Sequence, residues 1–485
     1  MGKREGFDNH FSLSRHRWDA VFLILASTVA VSPVLQLAGL AGGNLLSLVA
    51  LFFLMVSRIK LTQSIVFTGC LLALCCFILY CLHWSSRLFS VYFSFLALLF
   101  SVVLLVWSGD GRRLFASIQC SFINISRQLS YARISRVVLI LVVFFGLLAL
   151  INSLYWNALS FKVIIYAMMI MISVSFMQVE NFKLFTVYLS FIHMAMLVGC
   201  IIGFVYTING GDALFSVINE DGRSNGFYLS TFSNTYFNGF IRPSGLYDEP
   251  GALSFFICIN VALREYFGLP RRLTWQLIAL GLVTSSLAHL IFLLFFILHV
   301  YRKNVLYLSR FFLIASLSFF VLLSFDSPVS SLYDGLSARL SIVDGKLVGD
   351  NRSFLITNAL GYLDPRVFLF GLDGNCIVGD PLCREGMYLK YGENPFTPLV
   401  HYGIFLSLIY YLGLTGFVYL AVKHKSYLAL AVALLLLQRP YIFNYGYSAI
   451  IIIYFYLLVY SKMGRKRTII ERGSVDDSTS HKLPT

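Results

Sequence analysis

Arg242-Pro243-Ser244-Gly245-Leu246-Tyr247-Asp248-Glu249-Pro250-Gly251 is a polar, turn-rich run that stops abruptly at Ala252-Leu253-Ser254-Phe255-Phe256-Ile257, the start of a long apolar segment. That junction decides the fold. A guanidinium and two carboxylates set where hydration begins to fail mark a membrane boundary, and ionisable residues there carry function by default. Pro250 suits a first helical turn and Glu249 its positive end, so the run reads as the entry to a membrane helix.

Composition extends this to the whole chain. With 58% hydrophobic and 12% charged residues, 485 residues expose more apolar surface than a soluble fold could hide, which predicts a polytopic membrane protein. Lipid satisfies no backbone N–H or C=O, and the apolar runs are continuous rather than alternating. The expected fold class is therefore all-α, a polytopic helical bundle. The net charge of +14 sits in short clusters flanking apolar runs, which is a topology signal and not a nucleic-acid footprint. The first apolar run is too long and too poor in small-residue cleavage sites for a cleavable signal peptide, and is expected to remain as the first span.

Lys3, Arg4, Arg15 and Arg17 put the N-terminus on the cytoplasmic side. Spans are predicted at 18–38, 40–57, 62–83 and 88–108, then a basic connector over 109–136, then spans at 137–154, 160–178 and 184–206. Residues 1–206 thus form an N-terminal scaffold, and 207–249 a first external loop. A span at 250–268 returns the chain inside. Within 273–300 the charge rule favours two crossings over one tilted helix, with Thr284-Ser285-Ser286 as the polar turn of a short hairpin or broken pair. A span at 304–325 closes the central membrane segment, 250–325. The larger external loop, 326–395, follows; its patterns at 332–348 and 354–363 suggest short amphipathic helices. Spans at 396–421, 426–438 and 446–461 make up the C-terminal membrane segment, 396–461. The tail 462–485 is basic at first, then short and polar. The total is about fourteen crossings with both termini cytoplasmic.

Seven cysteines lie in or beside apolar runs, where cysteine acts as a small hydrophobe. Cys376 and Cys383 share a polar loop with Gly379, Asp380 and Pro381 between them, and read as a disulfide or as two free thiols. Arg242 offers a planar fork suited to phosphate oxygens; alternatively it braces its loop through Asp248 or Glu249, or meets lipid headgroups. Arg339, Arg352 and Arg366 punctuate the larger loop. Glu393, at a loop-to-helix junction, is a candidate general base or a first-turn carboxylate stabilising a helix. His401 is a second candidate base, or a histidine bonded to a neighbouring helix. No phosphate-cradling glycine loop, paired CxxC, HExxH or GxSxG is present, so catalysis is expected to be metal-free and without a cofactor, or to depend on a ligand these motifs do not reveal, which argues against an ATP-driven machine.

The Arg242–Gly251 block, with Ser337-Ala338-Arg339-Leu340, Phe370-Gly371-Leu372-Asp373-Gly374, Glu393-Asn394-Pro395 and Tyr402-Gly403-Ile404, resembles the O-antigen polymerases and, more distantly, the O-antigen ligases. The resemblance spans roughly 240–405 at motif level; before residue 200 it is one of topology alone. It implies a metal-independent polytopic glycosyltransferase of a Gram-negative inner membrane, with its active site facing the periplasm. Such an enzyme transfers a growing glycan from undecaprenyl pyrophosphate to the non-reducing end of another lipid-linked repeat unit. A pyrophosphate leaving group needs cations as the glycosidic bond breaks, which implies that role for Arg242 and Arg339, then Arg352. In the ligases a histidine precedes asparagine at the junction where this chain has Glu393-Asn394, which favours the polymerase branch and Glu393 as base, with His401 the alternative. Glu249 is expected to orient Arg242 or contact the acceptor sugar. Tyr247, Asp248, Asn394 and Tyr391 are candidate substrate contacts. Tyr247, Phe370, Tyr388 and Tyr391 are expected to stack on sugars or anchor at the interface. The expected partners are the undecaprenyl-pyrophosphate-linked oligosaccharide, membrane lipids and a chain-length regulator protein.

Three rivals remain open: an O-antigen ligase acting on the lipid A core, a lipid-linked glycan flippase or other transporter, and a membrane scaffold. A transporter should set its charges along the bundle midplane, which is almost free of them here. A scaffold gives no reason for charges at both loop-to-helix junctions.

Overall fold

A computed structural model describes residues 17–32, 50, 179–218, 224–234, 236–237, 240–302, 342–343, 346–347, 351–371, 394–440 and 446–459. These are mostly helical. The expected spans at 40–57, 62–83, 88–108, 137–154, 160–178 and 304–325, the connector 109–136 and the tail 462–485 lie wholly or almost wholly outside the described residues.

The first helix, α1, covers 17–27 and ends earlier than the predicted span of 18–38. After a single 3-10 turn, Val29–Val31, Ser32 is extended (φ −75°, ψ 129°). The residue before a proline is driven out of the helical region, and Pro33 follows. Asn181 Nδ2 donates to Asp19 Oδ2 (2.7 Å), tying α1 to the start of α2, Val179–Ile208. Its 30 residues run about 45 Å. Among the described residues it is the one helix long and apolar enough to cross a bilayer.

The stretch after α2, expected as a loop of an all-α protein, carries short strands instead. β1 (Phe215–Ile218), β2 (Ser224–Tyr228) and β3 (Thr231–Ser233) form an antiparallel sheet, and β4 (Tyr236–Phe237) pairs with β5 (Phe240–Ile241). Phe215, Phe227 and Phe232 share one face, with ring centroids 4.9 Å apart for each successive pair. Aromatic cross-strand pairs of this kind are what stabilise a small sheet. The sheet docks on glycines of α2: Ser230 Oγ donates to the Gly199 carbonyl (2.7 Å), and a Cβ at Gly203 would sit 2.3 Å from Thr231 Cγ2.

α3, Pro250–Tyr266, is the helix around which the rest pack; every residue from Ala252 to Arg264 is buried. Its neighbours are α2 and the pair α4 (Arg271–Gly281) and α5 (Leu287–Tyr301). These two run antiparallel. Trp275 meets Phe296 edge-on at 4.9 Å, and at the base Arg271 and His299 both approach the Glu265 carboxylate (3.4 and 3.8 Å). The turn is a 3-10 segment, Leu282–Thr284, followed by Ser285 in the left-handed region (φ 49°). The polar triplet Thr284-Ser285-Ser286 therefore reverses the chain as its sequence suggested.

In the larger loop, β6 (Ile342–Val343) and β7 (Lys346–Leu347) pair antiparallel, so the amphipathic helix expected over 332–348 is not formed at these residues; most of that range lies outside the described residues. The intervening Asp344-Gly345 is the strongest short hairpin signal a sequence offers. The second expected helix is present as α6, Asn351–Gly361, followed by α7, Pro365–Phe370, whose N-cap Asp364 accepts from the Val367 N–H (2.7 Å). α8, Thr397–His424, contains a break at Gly403 (φ 67°, ψ 176°). α9, Tyr427–Gln438, and α10, Tyr447–Val459, complete the described chain.

Candidate functional site

The turn that enters α3 is built before its charges are considered. Gly245 takes a positive φ (64°), its N–H donates to Thr231 Oγ1 (2.8 Å), and its carbonyl accepts from the Phe232 N–H (2.8 Å). The Ser244 hydroxyl lies between the carbonyls of Phe232 and Tyr247 (2.9 and 2.8 Å), and Ser233 Oγ donates to the Arg242 carbonyl (2.8 Å). The small sheet thus holds the turn from above. From Glu249 (φ −151°, ψ 155°) the chain passes into the helix with Pro250 in its first turn, as the sequence predicted.

The side chains then divide. Arg242 Nη2 donates to the carbonyls of Thr284 (3.3 Å) and Ser285 (3.1 Å), at the tip of the α4–α5 hairpin. A cation suits these carbonyls, because they end a helical segment and carry its partial negative charge. The Glu249 carboxylate, expected as a partner for Arg242, forms an ion pair with Arg439, just beyond α9. Both side chains of the pair are largely buried. Arg439 lies over Gly251, where an added Cβ would sit 2.6 Å from Nη2. Asp248 Oδ1 accepts from the Tyr447 hydroxyl (3.2 Å) at the start of α10.

Tyr247 points the other way, into the bundle. It is fully buried and stacked on Phe256 (4.7 Å), and its hydroxyl is 3.0 Å from His193 Nε2 on α2. Burial pushes its phenol pKa well up, so the hydroxyl stays protonated. A sugar-stacking role does not fit a ring covered in this way; Tyr247 anchors the turn instead.

The second junction is held by uncharged side chains and by main chain. Asn394 is buried, its Oδ1 accepts from the Phe396 N–H (2.8 Å), and its Nδ2 donates to the Leu355 carbonyl of α6 (3.4 Å). These bonds close an Asx turn just ahead of α8 and tie it to α6. A continuous helix would hold Pro395 about 24 Å from Tyr411, yet the Tyr411 hydroxyl donates to the Pro395 carbonyl (2.8 Å). The segment 397–402 therefore folds back at Gly403, and His401, also buried, belongs to that short segment rather than to the main helix. Gly371, at the end of α7, fits into the break: a Cβ there would meet the His401 carbonyl oxygen at 2.4 Å, and one at Gly403 the Leu369 carbonyl oxygen at 2.3 Å. Phe370-Gly371 and Tyr402-Gly403, distant in sequence, thus touch.

Arg242, Tyr247, Asp248 and Glu249 are gathered on one turn, while Asn394 and His401 belong to the α6–α8 junction. Arg352 falls in the first turn of α6. Arg339, Tyr391, Glu393, Cys376 and Cys383 lie outside the described residues. Sequence reading passed over Arg439 and Tyr447, and a signal for Arg439 was available: the predicted spans place it in an external turn, where an arginine runs against the positive-inside rule. No family model, no curated protein and no solved structure matches this chain.

Proposed function

We propose that the chain is an inner-membrane glycan polymerase with about fourteen crossings, acting on the periplasmic side on undecaprenyl-pyrophosphate-linked repeat units. The observation that carries the reading is the gathering of two carboxylates and Arg242 on the turn entering α3, with Arg439 brought against it from beyond α9, at one end of an apolar bundle. This is the turn on which the resemblance to O-antigen polymerases chiefly rests.

The reaction asks for three things. An acceptor hydroxyl attacks the anomeric carbon of the donor and gives its proton to a base, for which Glu393 is the candidate. The bond from that carbon to the pyrophosphate oxygen breaks, and the electron pair leaves with the pyrophosphate. Guanidinium groups that neutralise the leaving group lower that barrier. Arg242 Nη2 meets the neutral carbonyls of Thr284 and Ser285, and a pyrophosphate is a stronger acceptor than either. Arg439 is the second arginine at the turn, with Glu249 setting its orientation.

A transporter or flippase is a second reading. It draws on the α4–α5 hairpin and the break at Gly403, since discontinuous helices line transport sites. One experiment separates these readings and the ligase. Cells lacking the protein are complemented with wild type, Arg242→Ala or Arg439→Ala at matched membrane levels, and their lipopolysaccharide is resolved by size. A polymerase defect leaves single repeat units on the lipid core. A ligase defect leaves polymer on its carrier, and a flippase defect leaves the core bare; either pattern overturns the polymerase reading.

A further inference from the structure

Beneath the turn, a run of buried polar side chains alternates between α3 and α2. Arg264 Nη1 donates to Ser190 Oγ (2.9 Å), and Ser190 Oγ lies 3.3 Å from Asn260 Oδ1. Asn260 Nδ2 lies 3.1 Å from His193 Nδ1, and His193 Nε2 lies 3.0 Å from the Tyr247 hydroxyl. Four of the five are fully buried and Arg264 is 2% exposed. Such a run is costly among apolar helices unless each donor meets an acceptor.

The run can be followed bond by bond. The Ser190 hydroxyl faces both the Thr186 carbonyl (2.6 Å) and Asn260 Oδ1 (3.3 Å). Asn260 Nδ2 donates to His193 Nδ1, which leaves the ring proton on Nε2. His193 Nε2–H then donates to the Tyr247 oxygen, and Thr28 lies beside the Tyr247 hydroxyl as its further neighbour. An amide relays a proton only through its imidic acid form, so this run orients rather than conducts.

We propose that Asn260 and His193 are positioning residues for the candidate site. Asn260 fixes the His193 tautomer, His193 holds the Tyr247 hydroxyl, and Tyr247 sets the turn that presents Arg242 and Glu249. At its far end Arg264 also donates to Thr274 Oγ1 (3.0 Å) and the Pro270 carbonyl (2.8 Å). The run thereby joins the base of the α4–α5 hairpin to the turn whose Arg242 grips the hairpin tip. The inference rests on the polymerase reading.

Gln at 193 keeps a polar atom where Nε2 lies, whereas Asn keeps one only where Nδ1 lies. Membranes carrying the full chain at matched levels are given purified lipid-linked repeat units, and turnover is measured. Tyr247→Phe and His193→Asn should each lower kcat about five- to tenfold, the yield of one hydrogen bond. His193→Gln should stay near wild type, and the Tyr247→Phe/His193→Asn double variant should fall no further than either single one. Equal turnover for Gln and Asn at 193, or a Tyr247→Phe protein as fast as wild type, overturns the inference while the polymerase reading survives. If the His193 variants fail to accumulate, Tyr247→Phe decides, because it keeps the stacked ring and removes one oxygen. A wild-type sample that forms no polymer overturns the polymerase reading and the inference with it.

Discussion

Two junctions lead from polar loop into apolar helix, and they are held by different kinds of atoms. The turn entering α3 is fixed by side chains: Arg242 on the hairpin tip, Glu249 on Arg439, Asp248 on Tyr447 and Tyr247 on His193. The junction entering α8 is held chiefly by main chain, Gly371 against Gly403, with the uncharged side chains of Asn394 and Tyr411 bonded to main-chain atoms. Side-chain bonds can be exchanged for a ligand without unfolding the protein, whereas main-chain contacts cannot. On the proposed reading the first junction serves chemistry, and the described part of the second serves shape.

The largest effect should come from the glycines. Gly403 (φ 67°, ψ 176°) and Gly371 (φ 81°, ψ 176°) occupy a region essentially closed to other residues, and a Cβ at either meets backbone. Gly403→Ala or Gly371→Ala should cost at least roughly 1–3 kcal/mol, and each should cut the folded fraction recovered in detergent and lower its Tm. An inactive but fully stable Gly403→Ala protein would break the comparison.

Arg439→Ala should come next. It leaves the largely buried Glu249 carboxylate without its guanidinium, at a cost of about 1–3 kcal/mol for a pair not wholly shielded from water. Adding Glu249→Gln should recover stability but not polymerisation. Recovery of both would demote Arg439 to a brace. Arg242→Lys should leave Tm within a few degrees, since a lysine can still reach one tip carbonyl, while polymer yield falls because the planar fork is lost. Tyr447→Phe should be the smallest, about 0.5–1.5 kcal/mol for one hydrogen bond to Asp248.

Much of this was legible in the sequence, and the gaps have physical causes. Glu249-Pro250 announced the start of α3, and Thr284-Ser285-Ser286 the reversal between α4 and α5, because local chemistry decides both. The strands after α2 were not read, since three short pieces are stable only once Phe215, Phe227 and Phe232 stack across them. The ending of α1 was legible in Ser32-Pro33 but was overridden by the length of the apolar run. At the candidate site, residue types singled out Arg242 and Glu249 as candidates, but no spacing could pair Glu249 with Arg439, 190 positions away. His193, Asn260 and Arg264 were not singled out in the sequence; only the packing of α2 on α3 joins these scattered polar residues into one run.

The most direct test of the central claim uses purified protein in lipid, given only undecaprenyl-pyrophosphate-linked repeat units. The account predicts a ladder of lipid-linked polymers from wild type, one undecaprenyl pyrophosphate released per bond formed, and neither from Arg242→Ala of equal Tm. An unchanged ladder from Arg242→Ala, or a wild-type protein that moves the lipid-linked unit across the bilayer without joining two of them, would contradict it.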